Sequence, residues 1–300
     1  MLGLKLSQLL PFIAIVFALL LQQFPHAVTL LMADSKAPSL GKPWADSPLK
    51  MVRTPMVETG KNDTWTKGAS HMALLHNAVL RGFNSIYLQT PHVKKEDYAD
   101  FIGYCLAWFK FVKSHHDDEE ENLFPKVVEV LGKSDKEVWG VTHGEHEALL
   151  PPLAALNTYL TGLANPSALD PSHLTFLLDA IKEPLNTHFH SEIAIIASLS
   201  SLSSPQSTAP SEAAAPIFAA WGKATVTKAG YLDCVPFLFL NFDRTFEDGY
   251  WKDWPPMPKV ILWALVRGTS WWHAGWWRFA SCGVDGMPRE LYALGEGKGL

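Results

Sequence analysis

The chain has 300 residues, which is enough for one large domain or two modest ones. Its formal net charge of −5 and its pI near 6.2 give no electrostatic reason to expect a nucleic-acid partner. The three cysteines are an odd number and form no C-x-x-C pair, so neither a disulfide framework nor a zinc ribbon is indicated.

The N-terminus carries a location signal. Residues 9–21 are uncharged and nearly all apolar, and Lys5 precedes them, a pattern of a signal peptide or a short membrane anchor. A span needs about 20 residues, so an anchor would also have to include residues 22–29. We expect a signal anchor or signal peptide over 1–32, and hence a membrane or secretory-pathway location. A wrongly assigned start codon would instead leave a cytoplasmic protein. Residues 33–66, rich in Lys, Pro, Ser and Gly, predict a linker.

Four amphipathic helices are predicted between residues 67 and 200. Apolar residues recur there every three or four positions in four stripes, and short connections separate the stripes. The stripes begin at Met72, Phe101, Trp139 and Leu174. The fold class is therefore all-α, with an up-down-up-down four-helix bundle.

Polar residues interrupt each stripe where an apolar residue would be expected. The second stripe carries a His and a Glu four positions apart, and so does the fourth, so that each pair points from one helix face. Burying such groups without partners would cost several kcal/mol each, a penalty that a metal would remove. The first and third stripes each add one His. The sequence thus predicts a dimetal centre with six ligands: His76, His116, Glu120, His146, His188 and Glu192.

Neighbouring polar residues are assigned to solvent. A helix has room for about one residue in four along a buried seam, so Asp117, Asp118, Glu119 and Glu121 are expected to form a solvated acidic face. We expect His115 and His190 at the surface. His143, three positions before His146, would reach the centre only by a small rotation of its helix, and it stays open as a further ligand.

The motifs resemble those of the hemerythrin-like family, the HHE cation-binding domain. The resemblance covers somewhat under half of the chain and rests on four elements in the family's order: His76-Asn77, residues 116–125, Glu145-His146-Glu147 and residues 188–192. It implies two iron ions, with Glu120 and Glu192 bridging them and the four imidazoles as terminal ligands. Manganese or zinc would also suit imidazole and carboxylate ligands.

The third helix departs from the oxygen-carrying members of that family. Those members have a His-x-x-x-His pair there, whereas Thr142 and Leu150 lie four positions from His146. With one ligand fewer, an iron would keep an open position for water, peroxide or oxygen.

The C-terminal region is unlike the bundle. Residues 201–215, rich in Ser, Ala and Pro, predict a flexible linker. Residues 216–300 contain eight of the twelve tryptophans and resemble the aromatic extensions of larger fungal hemerythrin-like proteins. We expect this extension to be a lid on one end of the bundle, and a membrane-interface belt is the alternative.

Three functions agree with this organisation. A non-haem diiron oxidoreductase would bind or activate oxygen or peroxide, with a small apolar or aromatic metabolite as substrate. An iron or oxygen storage or sensing protein would use the same centre without turnover. A structural protein would use the metal only for stability. The sequence favours a metal-binding protein and leaves turnover undecided.

Overall fold

The computed structural model describes residues 37–38, 42–202 and 209–295. All regular elements within these ranges are helical, and a single bridge between Cys282 and Pro288 is the one strand-like pairing there. The α-helices of the described residues are α1 (Pro55–Thr59), α2 (Thr64–Gln89), α3 (Tyr98–Asp118), α4 (Phe124–Leu131), α5 (Asp135–Thr161), α6 (Pro171–Leu202), α7 (Ala209–Ala229), α8 (Cys234–Phe239) and α9 (Lys259–Ser270). A π-helical turn, Glu119–Leu123, joins α3 to α4, and 3₁₀ turns lie at Lys95–Asp97, Pro166–Ala168, Phe246–Gly249, Trp276–Phe279 and Tyr292–Leu294.

Helices α2, α3, α5 and α6 form the bundle. Asp63 accepts hydrogen bonds from the N–H groups of Trp65 and Thr66 at the start of α2, and Ser134 accepts one from Glu137 at the start of α5. Such caps satisfy donors that the first helical turn leaves unpaired. The four apolar stripes face one another in one buried core. The prediction of an all-α helical bundle is confirmed.

The segment before the bundle is held against α2. Asn84 accepts a hydrogen bond from the N–H of Leu49 and donates to the carbonyls of Ala45 and Leu49. Asn77 makes the equivalent pair with the backbone of Val52. These side-chain amides pair with backbone N–H and carbonyl groups that would otherwise be buried without a hydrogen-bond partner. Residues 45–52 are thus packed on the bundle, within the range 33–66 for which the sequence indicated a linker.

Helix α7 covers α2, α3 and α4 as a fifth helix. Its Phe218 ring meets the buried Trp65 edge-on, with ring centroids 6.0 Å apart. The helix begins at Ala209, inside the 201–215 range that the composition indicated as linker. Ala residues favour helix, and this propensity outweighs the Pro and Ser content here.

The aromatic extension shares the core of the bundle. Phe279 packs on Phe101 of α3, with ring centroids 4.9 Å apart. The hydroxyl of Tyr104 donates to Oδ1 of Asn241 at 2.9 Å, and Phe237 is buried against α2 and α3. The extension therefore lies along α2 and α3 as part of the same folded unit.

Within the part of the chain that the structure describes, no helix has the length and hydropathy that a bilayer span requires. The apolar segment 9–21, for which the sequence predicts an anchor or signal peptide, lies outside the described residues.

Candidate metal centre

The acidic run on the second bundle helix is not a regular α-helix. Helix α3 ends at Asp118, and the N–H of Phe124 donates to the carbonyl of Glu119, five residues back. Pro125 has no N–H to continue the α-helical ladder, and a wide turn is a common response. Glu119 is fully buried there, whereas the side chain of Glu120 is 37% exposed.

Two imidazoles, from α2 and α3, form one half of a buried cluster. Nε2 of His76 lies 3.1 Å from Nε2 of His115. Nε2 of His76 is also 3.2 Å from Oε2 of Glu192, and Nε2 of His115 is 3.0 Å from Oε1 of Glu119. We call His76 and His115 the inner half-site.

Two imidazoles from α5 and α6 form the other half. Nε2 of His146 lies 3.1 Å from Nε2 of His188, and we call this pair the outer half-site. A third ring, that of His116, lies beside it, with centroids 4.5 Å from His146 and 4.9 Å from His188. Two helices thus supply each half-site, and α3 contributes to both sides of the cluster.

Two carboxylates lie between the half-sites. Oε2 of Glu119 is 3.7 Å from Nε2 of His146, while its other oxygen faces His115. Oε2 of Glu192 is 3.9 Å from Nε2 of His188 and closer to His76. Each carboxylate is fully buried and faces both half-sites.

The donor atoms fit a metal. Within the described residues, no oxygen of Glu119 or Glu192 accepts a hydrogen bond, and Nε2 of His116 has no partner. Both imidazoles of the outer half-site have a carboxylate at Nδ1, so in their neutral form both Nε2 atoms present lone pairs to each other at 3.1 Å. Opposed lone pairs and unpaired buried carboxylates are unfavourable, and a cation relieves both. Imidazole with carboxylate suits iron, zinc or manganese.

The same atoms form two compact donor groups. His116, Glu119, His146 and His188 each offer a donor atom within 4.8 Å of the others. His76, His115 and Glu119 do so as well. Glu119 belongs to both groups, so one carboxylate connects the two halves of the cluster.

Burial dominates the electrostatics of the cluster. Loss of hydration holds the pKa of His76, His116 and His188 well below the usual value and lowers the pKa of His115 to about 4. These imidazoles are therefore neutral near pH 7, the form that binds metals. Burial, together with a neighbouring carboxylate, raises the pKa of Glu119 well above its usual value. A bound cation would oppose that shift.

A row of polar side chains leads from the outer half-site to solvent. Oε1 of Glu120 lies 2.6 Å from Nδ1 of His146 and 2.9 Å from Nδ1 of His143, whose Nε2 is 2.8 Å from Oδ2 of Asp135. Partial burial alone would lower the pKa of His143, but its hydrogen bonds to Glu120 and Asp135 outweigh burial and raise the pKa. Partial burial alone would raise the pKa of Glu120, but the hydrogen bonds from His143 and His146 outweigh burial and lower the pKa. Both nitrogens of His143 are engaged at this rim, away from the two buried carboxylates.

Aromatic rings close the inner half-site. The ring of Phe189 stacks on His76, with centroids 3.9 Å apart and planes at 10°. Trp221 of α7 lies over His115 at a centroid distance of 5.5 Å. Trp221 of the aromatic extension thus forms an apolar wall of the inner half-site together with Phe189.

The structure brings together five of the six residues that the sequence indicated. His76, His116, His146, His188 and Glu192 lie in the cluster, while Glu120 lies at its rim. Glu119 and His115, which we expected in solvent, are buried between the half-sites. That expectation is corrected. The missed signal was the alternative His-x-x-x-Glu spacing, one residue earlier on the same helix.

Comparison with known proteins agrees with this architecture. The family model described as the Hemerythrin HHE cation binding domain matches residues 67–199. A relative, "Dimeric xanthone biosynthesis cluster protein R11" of Cryptosporiopsis sp. (strain 8999), is 30% identical over 256 residues, which cover 83% of this chain and 93% of the relative. No solved structure matches. The resemblance inferred from the sequence motifs is confirmed.

Proposed function

Because the chain belongs to the hemerythrin HHE cation-binding domain family, and is thereby a metal-binding helical protein, we propose that its cluster holds two iron ions and binds or activates oxygen or peroxide. One ion would lie at the inner half-site and one at the outer half-site. His116 would be a further ligand on the outer side. Glu119 and Glu192 would serve both ions.

The position of Glu119 carries the proposal. Its two oxygens face imidazoles of different half-sites, 3.0 Å from Nε2 of His115 and 3.7 Å from Nε2 of His146. It accepts no hydrogen bond within the described residues. A single cation would leave one oxygen and one half-site without a partner, so two cations account for the arrangement better than one does.

Iron held by imidazole and carboxylate supplies redox chemistry towards oxygen or peroxide when it is bound. The chain's own residues supply the surroundings. Phe189 and Trp221 exclude water from the inner half-site. Thr142 is buried one helical turn before His146, and its hydroxyl makes no hydrogen bond within the described residues. We assign this hydroxyl to hydrogen bonding with a small oxygen-containing ligand.

A diiron oxidase or oxygenase acting on a small apolar or aromatic metabolite is the second candidate. The observation that favours it is the name of the relative, which assigns that protein to a biosynthesis cluster for dimeric xanthones, and xanthones are aromatic. Aromatic side chains such as Trp221 would provide apolar surface for such a substrate.

Two further functions without turnover are separable by experiment. Storage or sensing of iron or oxygen would use the same ions, and a structural role would need only their binding energy. Reversible loss and gain of metal with no consumption of oxygen or peroxide would support storage or sensing.

Metal analysis with visible absorption tests the proposal. We expect about two irons per chain and an absorption band that changes when oxygen or peroxide is added to the reduced protein. A protein purified with zinc, colourless and unchanged by iron supplementation, would contradict the redox function while leaving metal binding intact. Manganese in place of iron would change the identity of the ions alone.

A further inference from the structure

The outer half-site has carboxylates behind both of its imidazoles. Nδ1 of His146 donates to Oε1 of Glu120 at 2.6 Å, and Nδ1 of His188 donates to Oε2 of Glu145 at 3.4 Å. The Nδ1 atoms point away from the cluster, since the Nε2 atoms face it. Each imidazole is thus held between the cluster and a carboxylate.

At the inner half-site, no carboxylate is hydrogen-bonded to an Nδ1 atom within the described residues. Nδ1 of His76 lies 3.2 Å from the backbone carbonyl of Phe189, a neutral acceptor. Nδ1 of His115 has no hydrogen-bond partner within the described residues. The two halves therefore differ in the hydrogen-bond partners of their Nδ1 atoms, although their Nε2 atoms are arranged alike.

A carboxylate behind an imidazole changes how strongly that imidazole binds a metal. It fixes the tautomer with Nε2 free, holds the ring in place and raises the basicity of Nε2, and its loss typically weakens metal binding about 10- to 100-fold. A backbone carbonyl fixes the tautomer but brings no net charge. Two carboxylates on one side thus favour metal binding on that side.

Other contacts act in the same direction. Glu120 is held by His143, which is held in turn by Asp135, so the carboxylate behind His146 is itself oriented. His116 adds a third imidazole to the donor group of the outer half-site, whereas the inner group has two. The outer half-site therefore has more donor atoms than the inner one, and carboxylates hold two of its imidazoles in place.

We propose that Glu120 and Glu145 are positioning residues that make the outer half-site the tighter of two unequal metal sites. This inference rests on the proposed function, in which the cluster holds two ions. Under scarce metal the chain then carries one ion, in the outer half-site, and the inner half-site fills only as metal becomes abundant. The occupancy of the inner half-site therefore follows metal supply.

Equilibrium competition with a chelator tests the inference on the full chain. Metal-loaded protein is dialysed against graded nitrilotriacetate, and the metal content per chain is measured. We expect a plateau at one metal per chain, followed by loss of the second. In Glu120→Gln and Glu145→Gln the last metal should leave at an about tenfold or more lower chelator concentration.

Matched controls separate positioning from a change of charge or fold. Glu121→Gln and Glu147→Gln remove the same charge from exposed side chains next to the two positions and should behave like the wild type. His76→Gln should keep the tightly held metal, and His188→Gln should lose it. Unfolding midpoints of the metal-free variants show whether each chain still folds.

Cobalt supplies a spectroscopic readout that a purely structural role would not change. With one Co²⁺ per chain, the visible bands should shift in Glu120→Gln and stay unchanged in Glu121→Gln, because imidazole basicity alters the ligand field. Loss of both metals at one chelator concentration, or an effect of Glu120→Gln on the weakly held metal alone, would overturn the inference. Either result would leave the proposed function standing. A chain that binds no metal would overturn both the inference and the proposed function.

Discussion

Oε1 of Glu119 lies 3.0 Å from Nε2 of His115, one helical turn away on the same buried face. The other oxygen of this carboxylate faces the outer half-site. His115 and Glu119 therefore form the His-x-x-x-Glu pair that enters the cluster, and Glu120 supports it from the rim. Substitutions of Glu119, Glu120 and Glu121 should therefore have different effects on metal binding.

Glu119→Gln should lose at least one of two metals. The amide keeps the shape of the side chain but removes the charge that faces both half-sites. Glu121→Gln, at an exposed position, should keep the wild-type metal content. In the metal-free chain, Glu119→Gln should not lower the free energy of unfolding, because it replaces a buried carboxyl group that accepts no hydrogen bond within the described residues and whose ionised form is disfavoured by burial. Metal analysis and urea denaturation check both results, and full metal content in Glu119→Gln would contradict the assignment.

The sequence could predict the cluster but not which His-x-x-x-Glu pair at the end of α3 and the following π-helical turn enters it. Val112 and Leu123 are both buried and lie eleven positions apart. A helical stripe can cover this distance in steps of 4, 4 and 3, which places residues 116 and 120 on the buried face. Steps of 3, 4 and 4 place residues 115 and 119 there instead. Periodicity cannot choose between these divisions. The wide turn before Pro125 is a tertiary and backbone effect that spacing alone does not contain.

The four bundle helices were predictable because their apolar stripes and caps agree with one another. The segments that pack on the outside of the bundle were not predictable. Asn77 and Asn84 bind the preceding segment through amides, which composition does not reveal. Trp221 contacts His115 only after α7 folds back on the bundle, a long-range contact with no local signal.

The metal-free chain should lose stability as the pH falls from about 6.5 to about 4. Unfolded His115 takes up a proton near 6.5, while the folded residue stays neutral until about 4, so acid favours the unfolded state. His76, His116 and His188 have lowered pKa values and act likewise. The raised pKa values of Glu119 and Glu145 act in the opposite sense above pH 4.5, as two groups against the four imidazoles.

Urea midpoints of chelator-treated protein across this range measure that dependence. His115→Gln should show a shallower fall than the wild type, because one of the four groups is gone. Stability that is flat or increases on acidification would show that these imidazoles are not buried in the neutral form.

Gly82→Ala should destabilise the protein by about 1–3 kcal/mol, because a methyl group there would overlap the ring of Phe237. Gly140→Ala, on the exposed side of α5, is the control and should stabilise by about 0.5–1 kcal/mol. Urea denaturation measures both. Equal effects of the two changes would show that the extension does not pack on α2.

Trp221→Leu should speed the entry of azide to the metal-loaded cluster. The indole covers His115, and a smaller side chain opens that wall. Trp271→Leu, at a position 77% exposed, should leave the rate unchanged. Stopped-flow absorption gives the rates. An unchanged rate in Trp221→Leu would assign azide entry to the polar rim at Glu120.

Anomalous diffraction at the iron edge from crystals of the metal-loaded protein tests the central claim most directly. We predict two peaks, one at each half-site, with Glu119 and Glu192 contacting both and Glu120 contacting neither. A single peak, or two peaks with Glu120 between them, would contradict the account.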